Sequence, residues 1–267
     1  MLTFLFWNIQ KKPLLHRVAR IAQAHAVDVV ILAECEQSDA ELLAKLNAGG
    51  ANFYCPPRVF DTFRVAVRGP AVRLSGVFDE VSGRLSMFKV TSGRKPSLLL
   101  AVVHLPSKKS QGDGIHARIA GEIRRIESQR RVSRTIAVGD FNRSPFDDVV
   151  ISAMGFHAMM TRDLTHRRNL RILGGQEYAT FFNPMWQFLT DRGSSPAGTY
   201  YFRESVEQNL YWYALDQVLV RPELVDKLRS VDILDSDGTE TLLHRIHGWP
   251  DSVTCSDHLP LLFALDW

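Results

Sequence analysis

Cysteine is scarce in this sequence, and its three cysteines lack the spacing of a metal or disulfide framework. Cys35, Cys55 and Cys255 form no CxxC pair and no repeated spacing with histidine. This pattern argues against a zinc ribbon and against a disulfide-rich secreted fold. We therefore expect three reduced thiols in a cytoplasmic protein.

Long apolar runs are also missing. The first nine residues are apolar, but they carry no basic leader, and Asn8 and Lys11 interrupt the run far short of a membrane span. We interpret this segment as a first strand and expect no stable membrane association. No repeat, low-complexity tract or linker divides the chain, which predicts a single domain over residues 1–267.

The apolar residues that are present suffice for a large core, and many of them recur in short runs. Hydrophobic residues make up 45% of the 267 residues, and the net charge of +3 is compatible with an anionic substrate without requiring one. The runs are typical of strands. They cover residues 2–7, 27–32, 98–103, 135–138, 215–220 and 259–265. Between residues 59 and 100, alternation broken by glycines predicts a meander of hairpins.

Helical patterns stand between the predicted strands. Apolar residues repeat on one face around residues 14–22, and again in a helix predicted over residues 115–134. Ser38 followed by Glu41 predicts a capping box, and Ser144 followed by Pro145 predicts another helix start. Helices of this kind should cover sheets, so the fold class is α+β or layered α/β.

Polar side chains follow several predicted strands, where a scaffold presents functional groups. Asn8 closes the first strand, and a turn or cap role explains it equally well. Glu34 follows a run apolar enough to be buried, which favours a ligand for a hard cation. His104 follows the strand over residues 98–103 and could be a core histidine, but lysines come soon after it and favour an anion site.

Three later elements add carboxylates and a histidine. Asp140 and Asn142 form a Gly-Asp-x-Asn element that could be a plain turn or could orient a water at a phosphoryl group. Asp216 lies in an apolar strand, which is costly unless a partner such as histidine satisfies it. Asp257 and His258 precede the last strand. Phosphoester hydrolysis needs a cation, a positioned water and a proton donor, and these residues supply candidates for each.

In this order the motifs resemble the signature of the endonuclease/exonuclease/phosphatase superfamily, and the resemblance covers nearly the whole chain. The matching elements are Trp7-Asn8, Glu34, His104, Gly139-Asp140-x-Asn142, Asp216 and Ser256-Asp257-His258. The resemblance implies a four-layer α/β/β/α sandwich in which two mixed β-sheets pack face to face. It also implies an enzyme, a hydrolase that acts on phosphoester bonds with Mg²⁺ or Mn²⁺.

The resemblance further implies a role for each matching residue. Glu34 and Asp257 would hold the cation with Asn8 beside them, and Asp140 would orient or deprotonate the attacking water. The general base could be Asp140 or His258. We expect both to be exposed in the cleft. The remaining roles are phosphoryl binding by Asn142 and His258, support of His258 by Asp216, and phosphate contact or leaving-group protonation by His104.

Two departures and a basic, aromatic stretch bear on the substrate. Gln10 and His104 differ from the abasic-site endonucleases, whereas His104 resembles pancreatic-type deoxyribonucleases and neutral sphingomyelinases. Basic and aromatic residues near the site favour nucleic acid, DNA before RNA. The candidate contacts are Asn8, Lys108, Arg167, Arg168, Trp186 and Tyr200. A small-molecule phosphatase is the main alternative, and an inactive binding module is a third interpretation.

Overall fold

The structure is a computed structural model that describes residues 1–58, 61–80, 82–107, 114–190 and 196–267. In chain order, its elements are β1 (Leu2–Asn8), α1 (Leu15–Ala24), β2 (Val29–Ala33), α2 (Asp39–Leu46), β3 (Phe53–Tyr54), β4 (Phe63–Arg68), β5 (Arg73–Asp79), β6 (Leu85–Thr91), β7 (Leu98–His104), α3 (Ile115–Arg130), β8 (Thr135–Asp140), α4 (Asp148–Ile151), β9 (Ala158–Met159), α5 (Arg162–Arg167), β10 (Leu170–Leu173), β11 (Gln176–Ala179), β12 (Phe181–Phe182), β13 (Tyr200–Tyr201), β14 (Trp212–Tyr213), β15 (Asp216–Val220), β16 (Leu228–Ile233) and β17 (Leu261–Leu265). Short 3₁₀ helices cover Pro184–Leu189 and Pro222–Lys227.

The first sheet has the order β16-β17-β1-β2-β4-β3 in the described part of the chain. β1 and β2 run parallel and are joined through α1, while the other neighbouring pairs are antiparallel. Every residue of β1 and β2 is buried. Burial on both faces explains why these strands are continuous apolar runs rather than alternating ones.

The second sheet has the order β5-β6-β7-β8-β15-β12-β9 among the described residues. Its central strands β7 and β8 are parallel and are joined through α3. The predicted meander is only partly correct, because β5, β6 and β7 pair in sequence while β4 pairs with β2 and β3 in the first sheet. The Gly69-Pro70 turn thus connects two sheets and does not close a hairpin.

The two sheets pack face to face and confirm the predicted four-layer sandwich. One core cluster joins apolar residues of both sheets, such as Phe4 and Phe6 of β1 with Leu100 of β7 and Val138 of β8. That cluster continues to the apolar face of α1, and a second cluster packs α3 against the outer face of the second sheet. No helix in the described ranges is long and apolar enough to cross a membrane.

The helix signals were correct at α1 and at α2, and wrong at two helix boundaries. Ser38 and Glu41 form the predicted capping box at α2. The helix predicted at Ser144 instead begins at Asp148, because the Ser144 backbone N–H donates to the Asp147 carboxylate in a preceding turn. The helix predicted to reach residue 134 ends at Arg130, since Arg131 turns into the left-handed region at φ 51° and leads the chain toward β8.

Candidate active site

Strand register brings the polar residues to one edge of both sheets. Asn8 at the end of β1 lies opposite Ala33, the residue before Glu34. His104 at the end of β7 lies opposite Asp140 of β8, and Asp216 at the start of β15 lies opposite Asp140 on its other side. Side chains that are far apart in the sequence therefore meet at the strand ends.

The glycine of the Gly-Asp-x-Asn element allows the two parallel strands to approach closely. A Cβ atom on Gly139 would lie 1.8 Å from the Val103 carbonyl oxygen of β7. The turn that follows is fixed by side chains, since the Asn142 N–H donates to Asp140 Oδ1 (2.8 Å) and Asn142 Nδ2 donates to the Leu105 carbonyl (2.9 Å). The element thus places Asp140 rigidly beside β7.

Asp216 and His258 form the buried pair that the sequence predicted. His258 Nδ1 lies 2.7 Å from Asp216 Oδ2, and His258 and Asp216 are 7% and 0% exposed, respectively. The backbone around His258 is anchored to β1, because Ser256 Oγ donates to the Asn8 carbonyl (2.6 Å) and Trp7 Nε1 donates to the His258 carbonyl (2.8 Å). These anchors fix which nitrogen of the imidazole faces Asp216.

Asn8 bridges the two sheets through its side-chain amide. Its Nδ2 donates to Glu34 Oε1 (3.2 Å) and to Asp140 Oδ2 (3.1 Å), while its Oδ1 accepts from the Gln10 N–H (3.1 Å). His104 Nε2 lies 3.7 Å from an oxygen of each of the same two carboxylates. In this orientation Asn8 holds the carboxylates in place, and its oxygen is engaged away from them.

Burial and charge shift the pKa values of the site in opposite directions. Burial, reinforced by Asp216, raises the pKa of Asp140 to about 7 even though His258 acts to lower it. Burial alone would lower the pKa of His258, but the carboxylates of Asp216, Asp140 and Asp257 together outweigh it and raise that pKa to about 10. Burial lowers the pKa of His104, and Arg84 adds to this effect against Glu34.

The expectation that Asp140 and His258 are exposed is wrong. Asp140 is only 1% exposed, although both residues border the cleft. The sheets close over them because their polar atoms are satisfied by Asn8, Asp216 and the turn at Asn142. A substrate can therefore reach Asp140 and His258 only through the small part of each side chain that borders the cleft.

A cleft of about 730 Å³ opens in front of these residues. Seven of the sequence-predicted residues border it, whereas Asn8 and Asp216 lie outside its lining and contact lining residues. The seven are Glu34, His104, Asp140, Asn142, Tyr200, Asp257 and His258. The cleft also includes Arg84, Phe202 and Tyr213. Arg84 was missed because nothing in its local sequence distinguishes it from a surface arginine.

Other predicted substrate contacts lie elsewhere. Arg167 is on α5, where it pairs with Asp163, and Arg168 caps that helix. Trp186 borders a separate cavity of about 390 Å³ and packs near Phe146. None of the three borders the cleft in front of Asp140, and Lys108 lies outside the described residues.

The donor set of the cleft fits a hard divalent cation. Glu34, Asp140 and Asp257 all present carboxylates to it, and the Glu34 side chain is 31% exposed. Oxygen ligands of this kind suit Mg²⁺ or Mn²⁺. Asp140, Asp216 and His258 also bring ligand atoms within 4.8 Å of one another. That trio is the weaker candidate because Asp216 is fully buried and does not border the cleft.

Comparison with known proteins agrees with this geometry. The Endonuclease/Exonuclease/phosphatase family matches residues 5–258, whereas no curated protein matches the chain. Solved structures share the fold at low identity. They include a family member from Bacteroides thetaiotaomicron (14% identity, TM-score 0.60, 99% of this chain and 97% of that one), D. rerio TDP2 complexed with a single-strand DNA product (15%, 0.58, 100% and 99%) and the 3′ phosphatase NExo from Neisseria bound to a product DNA hairpin (14%, 0.55, 100% and 100%). The match over nearly the whole chain shows that this protein belongs to the endonuclease/exonuclease/phosphatase family.

Proposed function

We propose that the protein is a metal-dependent nuclease that hydrolyses phosphodiester bonds of DNA in the cleft in front of Asp140. The observation that carries the proposal is the convergence of Glu34, Asp140 and Asp257 with the bonded pair of Asp216 and His258. Carboxylates for a cation, a buried acid and an oriented imidazole are the groups that phosphoester hydrolysis requires.

Each residue has a distinct role in the proposed reaction. A cation bound by Glu34 and Asp257 would neutralise phosphoryl oxygens. Asp140 orients the attacking water and accepts its proton as the bond between phosphorus and the leaving oxygen breaks. His258 donates its Nε2 hydrogen bond to a phosphoryl oxygen while Nδ1 stays with Asp216. The negative charge of the bound phosphate favours the protonated form of His104 against the burial that lowers its pKa, so His104 delivers a proton to the leaving oxygen. Asn142 binds the phosphoryl group.

DNA is favoured as the substrate by two kinds of support. Arg84 brings a positive charge to the cleft that Tyr200, Phe202 and Tyr213 also line, and such a combination suits a nucleic-acid strand. Two structures with the same fold, TDP2 and NExo, were solved with DNA products bound. A phosphatase acting on small monoesters is the second candidate, because a cleft of about 730 Å³ also suits a small ligand.

Cleavage assays with the purified protein separate these candidates. The protein would be incubated with Mg²⁺ or Mn²⁺, beside EDTA controls, and with one of four substrates: supercoiled plasmid, single-stranded DNA, RNA or a small phosphomonoester. We expect metal-dependent cleavage of DNA. Phosphate release from monoesters without strand cleavage would replace the nuclease with the phosphatase, and inactivity on every substrate would favour a binding module.

Titration calorimetry with Mn²⁺ tests the cation site independently of turnover. Glu34→Ala should weaken Mn²⁺ binding by roughly tenfold or more, because a charged oxygen ligand is lost. Glu36→Ala is the matched control, since the Glu36 side chain is 66% exposed and pairs only loosely with Lys11 at 3.7 Å. Equal Mn²⁺ affinity in both variants would remove Glu34 from the ligand set.

A further inference from the structure

One wall of the cleft is aromatic and comes from a single hairpin. Tyr200 of β13 pairs directly with Tyr213 of β14, and Phe202 follows two residues after Tyr200 on the same face. All three side chains border the cleft and are half-buried. Tyr200 also lies over the imidazole of His258, with ring centroids 5.1 Å apart. The aromatic wall of Tyr200, Phe202 and Tyr213 thus begins at the reacting groups.

The opposite face of the hairpin is packed against the protein. Tyr201 stacks on Trp249 (centroids 5.1 Å apart, planes at 27°) and on Tyr211 (5.9 Å, 27°), and Trp212 meets it edge-on. Arg203 lies over the Trp249 ring at 5.6 Å. These contacts explain the outer aromatic residues as supports of the hairpin. They do not explain the inner ones.

The loop that carries the aromatic wall is held by its own hydrogen bonds. Asn209 Nδ2 donates to the carbonyls of Phe202 (3.2 Å) and Glu204 (2.7 Å), and Asn209 Oδ1 accepts from the Tyr211 N–H (2.7 Å). The Tyr213 hydroxyl accepts from the Leu210 N–H (3.0 Å). Within the described ranges, neither Phe202 nor Tyr213 has a ring stacked on it. The wall is therefore pre-organised and faces the cleft.

We propose that the aromatic wall stacks an unpaired nucleobase beside the scissile phosphate, so that the substrate is a single strand or an unpaired end rather than a fully paired duplex. The inference rests on the proposed nuclease function. In a duplex each base is already stacked and paired, and its face is not free to meet Tyr200 or Phe202. Every base has a flat face, so this contact selects for unpaired nucleotides without selecting a sequence.

Binding measurements with matched strands test the inference. Fluorescence anisotropy in EDTA would compare a labelled single strand, a strand of the same length in which the bases are replaced by abasic residues, and the blunt duplex. Base stacking on an aromatic residue predicts about tenfold tighter binding of the base-bearing strand than of either other ligand. Phe202→Leu should remove most of that preference, whereas Phe202→Tyr should keep it because it retains the ring.

Phe78→Leu provides the control for position, since Phe78 is also a half-buried phenylalanine but packs against Arg125 away from the cleft. It should bind all three ligands as the wild type does. Equal binding of base-bearing and abasic strands, a preference for duplex, or an unchanged preference in Phe202→Leu would overturn the stacking inference. Failure of the proposed function looks different. In that case no strand is cleaved with Mg²⁺ or Mn²⁺, and the inference falls with it.

Discussion

Among single residues, Asp216 is a buried carboxylate whose function is to position the imidazole of His258. It is fully buried, and its Oδ2 lies 2.7 Å from His258 Nδ1 while Oδ1 has no hydrogen-bond partner in the structure's described residues. An uncompensated carboxylate at such a place would be costly. The cost is offset by the imidazole, whose orientation the carboxylate fixes.

Asp216→Asn should therefore lower kcat by roughly 10²–10⁴-fold with little change in KM, because the amide no longer enforces the imidazole tautomer or stabilises its charge. Steady-state kinetics on the best substrate of the cleavage panel would show this. Asp266→Asn, which breaks an exposed ion pair with Arg229, should leave kcat unchanged. Wild-type kcat in Asp216→Asn would exclude the positioning role.

A second prediction for a single residue concerns His157, which does not border the cleft. It is 1% exposed, and its Nδ1 donates to the Tyr178 carbonyl (3.0 Å) while Nε2 has no partner among the residues that the structure describes. Burial lowers its pKa, the carbonyl acts against this, and the nearby Arg171, Arg221 and Arg124 lower it further. The unfolded chain therefore takes up a proton more readily than the folded one.

The free energy of unfolding should fall as the pH drops through the unfolded-state value of about 6.5, and this part of the stability is complete above it. His157→Asn keeps a donor near the Nδ1 position and tolerates the backbone φ of 52°. Tm measured at pH 7.5 and pH 5.5 should decrease less in His157→Asn than in the wild type. An equal decrease in both proteins would assign the acid sensitivity to other groups.

The sequence was informative about residue types at the strand ends, but not about how they contact one another. Glu34, Asp140 and His258 could be identified because each follows or precedes an apolar run. The orientation of the Asn8 amide depends on partners 26 and 132 residues away. The burial of Asp140 depends on the closure of both sheets. Neither the orientation of Asn8 nor the burial of Asp140 leaves a pattern in the neighbouring sequence.

Among the elements, the pairing of β7 with β8 determines the site most directly, and Gly139 makes it possible. Gly139→Ala places a methyl group on the Val103 backbone, which cannot move as a flexible side chain could. We expect a loss of about 1–3 kcal/mol in the free energy of unfolding, together with a fall in activity as His104 and Asp140 separate. Chemical denaturation and the cleavage assay would measure the two effects.

Gly121→Ala is the matched control for this substitution. Its added Cβ would meet only the Arg124 guanidinium, at 4.0 Å, within α3. A helical glycine replaced by alanine should gain about 0.5–1 kcal/mol. If Gly139→Ala were as stable and as active as Gly121→Ala, the close approach of β7 and β8 would not be required.

Element prediction from the sequence succeeded where burial is continuous and failed where pairing is non-local. The runs that became β1, β7 and β15 could be read directly, because strands buried on both faces are largely apolar. Asp216 and Gln217 at the start of β15 are the polar exceptions in that strand. The assignment of β4 to the first sheet could not be read, since it depends on pairing with β2 across the intervening α2 and β3. The end of α3 could not be read either, since it is set by the left-handed conformation of Arg131.

At the scale of the whole molecule, both sheets contribute residues to the site. The first sheet supplies Asn8 and the residues that follow β2, and the second supplies His104, Asp140 and Asp216. The prediction of a four-layer arrangement rested on the family resemblance, because composition and periodicity alone are compatible with several layered folds. That residues 1–267 act as one domain remains a prediction.

The most direct test of the proposed function is the rate of single-stranded DNA cleavage with Mg²⁺ or Mn²⁺ by the wild type and by Asp140→Asn, with Tm measured for both. We predict cleavage that EDTA abolishes and that Asp140→Asn reduces by at least about 100-fold, with a Tm that shows the variant to be folded at the assay temperature. Cleavage by a folded Asp140→Asn variant at the wild-type rate would contradict the placement of the reaction in this cleft.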